Sequence, residues 1–245
     1  GSVVVMEVAT GEIKAISNLS KRKNGKYAET YNYAVGAQGS REPGSTFKLA
    51  SMLALFEAAD VSLNDTVDTG NGITKFYDEV MKDHKPGGYG NLTVKEIFEK
   101  SSNIGVARLI TDEFGQNPDR YISYLKSLKL HKPMNFQLIG EGKPYIKDTS
   151  DSTWSGVSLP WISHGYELKM TPLQTLTLYN AVANNGKMMK PLIVKSIGKA
   201  DKMVDTYEHE VIKEKICSDM TLQKVRLLLE GVVERGTAKN INDSF

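Results

Sequence analysis

The chain has 245 residues, 40% of them apolar, which is enough for one large domain or two small domains with a proper core. Its net charge of +2 comes from interspersed acids and bases, so the composition gives no support for a nucleic-acid partner. The single cysteine, Cys217, excludes an internal disulfide and a cysteine-based zinc cluster. No apolar run approaches the ~20 residues that cross a bilayer. We therefore expect a globular chain.

The N-terminal end predicts a β-hairpin. Residues 3–8 form a continuous β-branched run, which favours a buried strand. A turn at Thr10-Gly11-Glu12 follows, and residues 13–17 alternate as a returning strand. Residues 18–42 are polar, and Lys21-Arg22-Lys23-Asn24-Gly25 within them predicts a solvated loop.

Apolar periodicity predicts helices through most of the remaining chain. The expected helices begin at Gly44 and continue with 93–100, 104–114, 119–130, 172–183 and 219–233. Thr93 and Glu96 have capping-box spacing, and Thr171-Pro172 is a typical helix start. Residues 65–89 predict an irregular excursion, residues 131–160 a loop and residues 187–198 short strands.

Ser45 and Lys48 are the first candidate site residues. They lie at i and i+3 in the sequence Pro-Gly-Ser-Thr-Phe-Lys of residues 43–48, so helical spacing brings the amine to the hydroxyl. A lysine can take the proton of a serine only when its amine is neutral, which burial favours. The helix N-terminus adds partial positive charge where an oxyanion would form. The same pattern also fits a serine near a helix start with a solvated lysine one turn later.

A second polar element, Ser101-Ser102-Asn103, lies at a break between two predicted helices. A hydroxyl and an amide two residues apart project to the same side of an extended backbone. The Ser101 hydroxyl could relay a proton between a lysine and a leaving amine, while the Asn103 amide holds Lys48 or a substrate carbonyl. A serine-rich helix cap is the alternative interpretation.

Other patterns in the chain predict no site. The histidines are scattered without metal-ligand spacing, which favours surface or packing roles for His84, His131, His164 and His209. Asp83-His84 would suggest a hydrolytic triad, but the chain has no G-x-S-x-G elbow. The glycines near positions 70 and 87 are typical of turns rather than of phosphate loops.

Together, and in this order, the two polar elements resemble the active-site motifs of the transpeptidase domain of penicillin-binding proteins. Further similar stretches are residues 4–13, 31–34, 41–48, 92–105, 163–174, 183–186 and 232–238. They correspond to the opening hairpin, the approach to the nucleophile, the second motif, the helix that closes the helical region and the segment before the third motif. The Ser-Ser-Asn-Ile-Gly form at 101–105 favours the monofunctional class B group of division or elongation type.

The resemblance implies an α/β fold of the α+β type, as in penicillin-binding proteins and serine β-lactamases. It predicts a helical subdomain and part of an antiparallel sheet whose C-terminal strands are missing. Residues 1–245 would form one partial transpeptidase domain. Its parts are a sheet hairpin at 1–20, a mainly helical region with the active-site serine at 43–186, and short strands with a C-terminal helix at 187–245.

The resemblance also implies the chemistry. Ser45 would attack the penultimate D-alanine carbonyl of a peptidoglycan stem peptide, and the acyl group would pass to an amine on a neighbouring strand. Lys48 would be the base, Ser101 would relay a proton to the leaving amine, and Asn103 would orient Lys48 and the substrate amide. β-Lactam antibiotics would acylate Ser45, and no metal or organic cofactor is needed.

The family implies a place and partners for the whole protein. Its members act on the extracytoplasmic, periplasmic face of the bacterial cytoplasmic membrane, and they are anchored there by an N-terminal helix that these residues lack. The implied partners are stem peptides ending in D-Ala-D-Ala, β-lactams and membrane proteins of the divisome or elongasome. Nucleic acid is not among them.

Two departures from the family pattern stand out. The third motif, Lys-Ser/Thr-Gly, does not occur in the 245 residues, so we interpret the chain as a domain truncated before that motif. The motif supplies a cation and, just beyond it, an oxyanion donor, so we expect residues 1–245 alone to be weakly active or inactive. Glu167 stands where the family usually has a small residue.

Two other function classes remain open on the sequence. One is a related serine hydrolase, a D,D-carboxypeptidase or a β-lactamase, although nothing resembles the glutamate-bearing loop of β-lactamases. The other is a non-catalytic sensor domain that binds β-lactams in the same pocket. The lifetime of the penicilloyl adduct separates a transpeptidase, which keeps it, from a β-lactamase, which hydrolyses it.

Overall fold

A computed structural model of the protein describes residues 1–200 and 202–242. Its α-helices are α1 (Lys48–Ala58), α2 (Val94–Glu99), α3 (Asn103–Phe114), α4 (Pro118–Ser127), α5 (Ser158–Ser163), α6 (Pro172–Ala183), α7 (Asp219–Glu234) and α8 (Lys239–Asn242). Within the described ranges, no helix combines the length and the apolar character needed to cross a membrane. Of the predicted segment 187–245, residue 201 and residues 243–245 lie outside the described part.

The strands are short and pair two by two. They are β1 (Ser2–Met6), β2 (Ile13–Asn18), β3 (Ser20–Lys21), β4 (Tyr27–Ala28), β5 (Thr66–Asp68), β6 (Ile73–Phe76), β7 (Glu79–Lys82), β8 (Asn91–Thr93), β9 (Tyr145–Ile146), β10 (Leu168–Lys169), β11 (Met188–Met189), β12 (Ser196–Lys199), β13 (Lys202–Thr206) and β14 (Val211–Lys213). The pairs β1–β2, β3–β4, β5–β8, β6–β7, β11–β14 and β12–β13 are antiparallel. Mixed helix and strand content confirms the predicted fold class.

The helices predicted from periodicity and capping are present with small shifts at their ends. Thr93 caps α2 and Thr171 caps α6, each in a full capping box, with Glu96 and Gln174 as the reciprocal partners. The helix expected from Gly44 begins later. A 3-10 turn at Gly44–Phe47 comes first, and the α-helix starts at Lys48.

Two predictions about loops are wrong. The segment 65–89 contains β5, β6 and β7 rather than only irregular chain, and the segment 131–160 includes the start of α5. The β6–β7 hairpin turns at Tyr77-Asp78, and Tyr77 has a φ of +55°. Asn-Gly and Asp-Gly are the residue pairs typical of such turns, and Tyr77-Asp78 is neither of them, so the sequence gives no recognisable signal for this hairpin.

The chain divides into two compact units, the first formed by residues 1–43, 128–145 and 169–216. Its apolar cluster consists of Ala34, Val35, Phe136 and Leu173, against which Val4, Met6, Ile13 and Ile16 of the β1–β2 hairpin pack. The prediction of a buried strand at 3–8 is wrong, because Val3 is 66% exposed and Val5 50% exposed. Side chains of a strand alternate between its two faces, and only one face of this hairpin meets the cluster.

The second unit consists of residues 44–127, 146–168 and 217–245, described as far as Asn242. Helix α1 lies at its centre, and its residues 48–56 are all buried. Polar ties fix this helix: the Ser51 hydroxyl donates to the Ser163 carbonyl at 2.6 Å and lies 2.7 Å from the Tyr121 hydroxyl. The core of this unit therefore positions the turn that precedes α1.

Candidate active site

Ser45 lies in the 3-10 turn that precedes α1, and its side chain is exposed. Residues three apart eclipse each other in a 3-10 turn, so Ser45 lies one turn before Lys48 on the same side. The i, i+3 spacing therefore places Ser45 and Lys48 on one side of the chain in a 3-10 turn as well as in an α-helix. Among the described residues, no hydrogen bond joins the Ser45 hydroxyl to another group.

Lys48 is buried, with 1% of its surface exposed. Its Nζ atom donates to the Ser101 carbonyl at 2.7 Å, to the Ser101 hydroxyl at 3.0 Å and to the Asn103 Oδ1 atom at 2.8 Å. The structure thus brings together three of the predicted site residues. It leaves the Ser45 hydroxyl at the exposed end of the same turn.

The environment of Lys48 favours the neutral amine near neutral pH. Burial lowers the pKa of the Lys48 amine from its usual 10.5 to about 7, while the negative charge of Asp83 opposes this shift. An ammonium would use its three N–H groups on the three oxygen acceptors. A neutral amine has only two N–H groups and a lone pair, so the Ser101 hydroxyl can then rotate and donate to nitrogen.

Ser101 has a backbone conformation that few residues other than glycine adopt. Its φ is +55°, in the left-handed region, and this conformation costs a residue with a Cβ atom roughly 1–2 kcal/mol. Hydrogen bonds from the Ser101 amide to the Phe98 carbonyl (3.0 Å) and from the Ser102 amide to the Ile97 carbonyl (2.9 Å) hold this turn. The strained conformation allows both the carbonyl and the hydroxyl of Ser101 to face Lys48.

Asp83 is a site residue that reasoning from the sequence missed. It follows β7, and its carboxylate accepts from the Ser102 hydroxyl (2.8 Å), the Asn103 amide (2.7 Å) and the Ile104 amide (3.1 Å). The sequence suggested Asp83 only as part of a hydrolytic triad. Because the hairpin that carries it was not predicted, no pattern placed this carboxylate beneath the Ser101-Ser102-Asn103 turn.

His164 follows α5 and is 5% exposed, which is a packing position of the kind expected for the histidines. Its Nδ1 atom lies 2.7 Å from the Trp161 carbonyl, and its ring contacts the Trp161 and Tyr166 rings. Burial lowers the pKa of His164 to about 4, and the charge of Lys48 adds to this shift. The imidazole is therefore neutral at physiological pH.

Gly165 supports the turn that carries Ser45. The Gly44 amide donates to the Gly165 carbonyl at 3.1 Å, and Gly165 has a φ of +93°. A Cβ atom at Gly165 would lie 2.1 Å from the Gly44 carbonyl oxygen. Only glycine permits this close backbone approach beside the serine.

Replacing Gly165 with alanine is expected to lower the free energy of unfolding and to displace the Ser45 turn. The left-handed φ costs about 1–2 kcal/mol, and the backbone clash adds a further ~1–3 kcal/mol. Denaturant unfolding measures the loss. Gly140→Ala is the matched control, because Gly140 has a φ of +90° and no heavy atom within 4 Å of an added Cβ. Equal losses for both variants would contradict the close-approach argument.

Glu167, the residue that departs from the family pattern, has a φ of +55° and forms an ion pair with buried Lys147 at 3.0 Å. The Lys147 amine also donates to the Thr153 carbonyl at 2.9 Å. This ion pair connects the segment after Gly165 to the loop before α5.

Within residues 1–200 and 202–242, no group of three or more His, Cys, Asp or Glu side chains could hold a metal ion.

The arrangement is suited to acyl transfer. An exposed hydroxyl lies one turn before a buried amine with a pKa near 7, and a second hydroxyl contacts that amine. Nucleophile, base and relay are the parts that a serine–lysine acyl transfer needs.

Solved structures of penicillin-binding proteins have a similar fold. The chain aligns with penicillin binding protein 3 of Mycobacterium tuberculosis in complex with aztreonam, with a TM-score of 0.78 and 26% identity, over 96% of this chain and 52% of that one. It also aligns with the apo transpeptidase domain of Burkholderia pseudomallei penicillin-binding protein 3, with a TM-score of 0.76 and 25% identity, over 98% of this chain and 64% of that one. The predicted fold of penicillin-binding proteins and serine β-lactamases is confirmed.

Curated relatives are longer than this chain. Stage V sporulation protein D of Bacillus subtilis is 26% identical over 242 residues, which are 97% of this chain and 37% of the relative. Peptidoglycan D,D-transpeptidase FtsI of Escherichia coli K12 is 28% identical over 207 residues, 83% of this chain and 33% of the relative. The chain thus spans about a third of the length of these proteins. Residues 1–244 match the penicillin binding protein transpeptidase domain, so the chain belongs to this family, and its relatives are class B members.

Proposed function

We propose that this chain is the acyl-transfer domain of a serine D,D-transpeptidase that cross-links peptidoglycan. The Ser45 oxygen attacks the penultimate D-alanine carbonyl of a stem peptide, and the serine proton passes to the Lys48 amine. The tetrahedral adduct collapses, and the terminal D-alanine leaves with that proton. An amine of a neighbouring strand then attacks the Ser45 ester and gives a proton to Lys48. The bond from the carbonyl carbon to the Ser45 oxygen breaks as the new amide forms, and Lys48 returns the proton to that oxygen, which restores the serine.

The observation that carries this proposal is the state of Lys48. Its burial lowers the amine pKa to about 7, so a large fraction of the lysine is neutral at physiological pH. A base whose pKa lies near the working pH combines the correct protonation state with a useful driving force for proton transfer. An ordinary solvated lysine has neither property.

Ser101 and Asn103 have separate roles in this mechanism. The Ser101 hydroxyl lies 3.0 Å from the Lys48 amine and relays the proton from that amine to the departing nitrogen of D-alanine. The Asn103 Oδ1 atom, 2.8 Å from the same amine, orients it towards Ser45. Ser101 and Asn103 are both uncharged, so neither contact holds the Lys48 amine in its protonated, ammonium form.

β-Lactam antibiotics are expected to acylate the same serine. Their strained amide takes the position of the D-Ala-D-Ala bond, and ring opening leaves a penicilloyl ester on Ser45. The relative from Mycobacterium tuberculosis was solved with aztreonam, which supports this expectation. The ester would be long-lived, because transpeptidases hydrolyse it slowly.

The whole protein is proposed to act outside the cytoplasmic membrane, where peptidoglycan is assembled. The relatives named peptidoglycan D,D-transpeptidase FtsI support a role in cell-wall synthesis. An N-terminal anchor helix and partners among divisome or elongasome membrane proteins belong to the same proposal. Division, elongation of the cell and sporulation are the processes that such enzymes serve.

Residues 1–245 alone are expected to react slowly with a fluorescent penicillin. The sequence contains no Lys-Ser-Gly or Lys-Thr-Gly, the family motif that borders the cleft with a cation and an oxyanion donor. Loss of one oxyanion donor lowers rates about 10²–10³-fold. Labelling should therefore be slower by this factor than in a chain extended past Phe245 to include that motif. Equal labelling rates would refute the expectation, and absence of labelling in the extended chain would refute the proposed function.

A further inference from the structure

The Asp83 carboxylate lies at the end of β7 and is 9% exposed. Both of its oxygen atoms are in use. The Oδ2 atom accepts from the Ser102 hydroxyl at 2.8 Å, and the Oδ1 atom accepts from the backbone amides of Asn103 at 2.7 Å and Ile104 at 3.1 Å. An anion bound to the free amides at the start of α3 is stabilised by the helix dipole as well as by these bonds.

The neighbouring residue of β7 completes the contact with the same turn. The Lys82 carbonyl accepts from the Asn103 Nδ2 atom at 3.0 Å, which leaves the Asn103 Oδ1 atom directed at Lys48. Asn103 is thus held through its backbone by Asp83 and through its side chain by Lys82. Ser102, which lies between the two residues that contact Lys48, is held through its hydroxyl.

We propose that Asp83 is a positioning residue of the acyl-transfer site, which holds the turn so that Ser101 and Asn103 present their oxygen atoms to Lys48. The inference rests on the proposed function. Asp83 acts through the turn and through its charge, and it does not touch the reacting atoms. Asp83 is a buried acid, and the acyl-transfer mechanism proposed above gives it no other role.

The charge of Asp83 gives a readout that a purely structural role does not. The negative charge raises the pKa of the Lys48 amine against the larger effect of burial, so its removal lowers that pKa further. Within the described part of the chain, the charge of Asp83 also acts on Tyr89 and His164, and Lys100 in turn acts on Tyr89. Burial raises the pKa of Tyr89 and lowers that of His164 to about 4, so both stay neutral in the range where Lys48 titrates.

The test is Asp83→Asn in the full-length protein, with the acylation rate by a fluorescent penicillin measured from about pH 5 to pH 9. Displacement of the turn is expected to lower the plateau rate about 10- to 100-fold, since small misplacements of reacting groups have effects of this size. The midpoint of the pH profile is expected to move to lower pH. Asp78→Asn is the matched control, because Asp78 is an exposed acid on the β6–β7 turn, and it should leave rate and midpoint unchanged.

Ser102→Ala separates the effect of displacing the turn from the effect of removing the charge of Asp83. It removes the hydrogen bond to Asp83 and the bond that the Ser102 hydroxyl accepts from the Gly105 amide, but it keeps the charge of Asp83, so the rate should fall several-fold while the midpoint stays at its wild-type value. This variant also decides the question if Asp83→Asn does not fold, because a wild-type rate in Ser102→Ala would overturn the positioning role.

The outcomes distinguish this inference from the proposed function. A wild-type rate and midpoint in Asp83→Asn would overturn the inference and leave the transpeptidase proposal intact. A lower rate with an unchanged midpoint and a lower free energy of unfolding would reduce Asp83 to a structural residue. Failure of the wild-type protein to acylate on Ser45 would overturn the proposed function, and the inference with it.

Discussion

Replacing Lys48 with methionine is expected to lower the rate of Ser45 acylation by about 10²–10⁴-fold, the contribution typical of a general base. Methionine has a similar length and fills the buried space, but it cannot take the serine proton. The change also leaves the Ser101 carbonyl and the Asn103 Oδ1 atom without the donor they now share. Time-resolved labelling with a fluorescent penicillin measures the rate.

Two further lysine variants make this result specific. Lys48→Arg keeps a positive charge that cannot be removed at working pH, so it should be as slow as Lys48→Met. Lys75→Met alters an exposed lysine of the same unit and should label at the wild-type rate. Rapid labelling of Lys48→Arg would show that charge, rather than a neutral amine, is what Ser45 needs.

The acylation rate is expected to rise with pH and to level off above about pH 7. The folded-state pKa of Lys48 lies near 7, so the amine is protonated below this value and cannot accept the serine proton. Between pH 7 and pH 5 the rate should fall roughly tenfold for each unit, as the neutral fraction does. Stopped-flow acylation across this range measures the profile. A rate independent of pH would contradict the assignment of Lys48 as the base.

The helices were the most predictable part of the fold. The amides at two helix starts are satisfied by neighbouring residues alone, in the capping boxes of Thr93 with Glu96 and of Thr171 with Gln174. Pro172 adds a first helical position that has no amide to satisfy. Such signals can be recognised from the sequence because they do not depend on how distant segments pack. The 3-10 turn before Lys48 was less predictable, because its geometry depends on the bond between the Gly44 amide and the Gly165 carbonyl, far away in the sequence.

The strands were predicted less well. The β6–β7 hairpin carries no turn signal, and Tyr77 adopts a left-handed φ that its residue type disfavours. The run at 3–8 is apolar throughout, yet one face of β1 is exposed in the described structure. Periodicity cannot reveal exposure when apolar residues occupy both faces.

The candidate site was predictable as a set of residues but not as an electrostatic environment. Spacing and family resemblance indicated Ser45, Lys48, Ser101 and Asn103, and the structure brings the last three into contact. The burial of Lys48 and the location of Asp83 depend on how distant segments pack. No local pattern contains that information, although it decides the protonation state of the amine.

Incubation of the full-length protein with benzylpenicillin, followed by intact mass measurement and peptide mapping, tests the central claim most directly. We expect one penicilloyl group per chain, carried by the peptide that contains Ser45, and no such adduct in Ser45→Ala. The adduct should persist for a long time, whereas its rapid loss would favour a β-lactamase. An adduct on another residue, or none at all, would contradict the assignment of Ser45 as the acylated nucleophile.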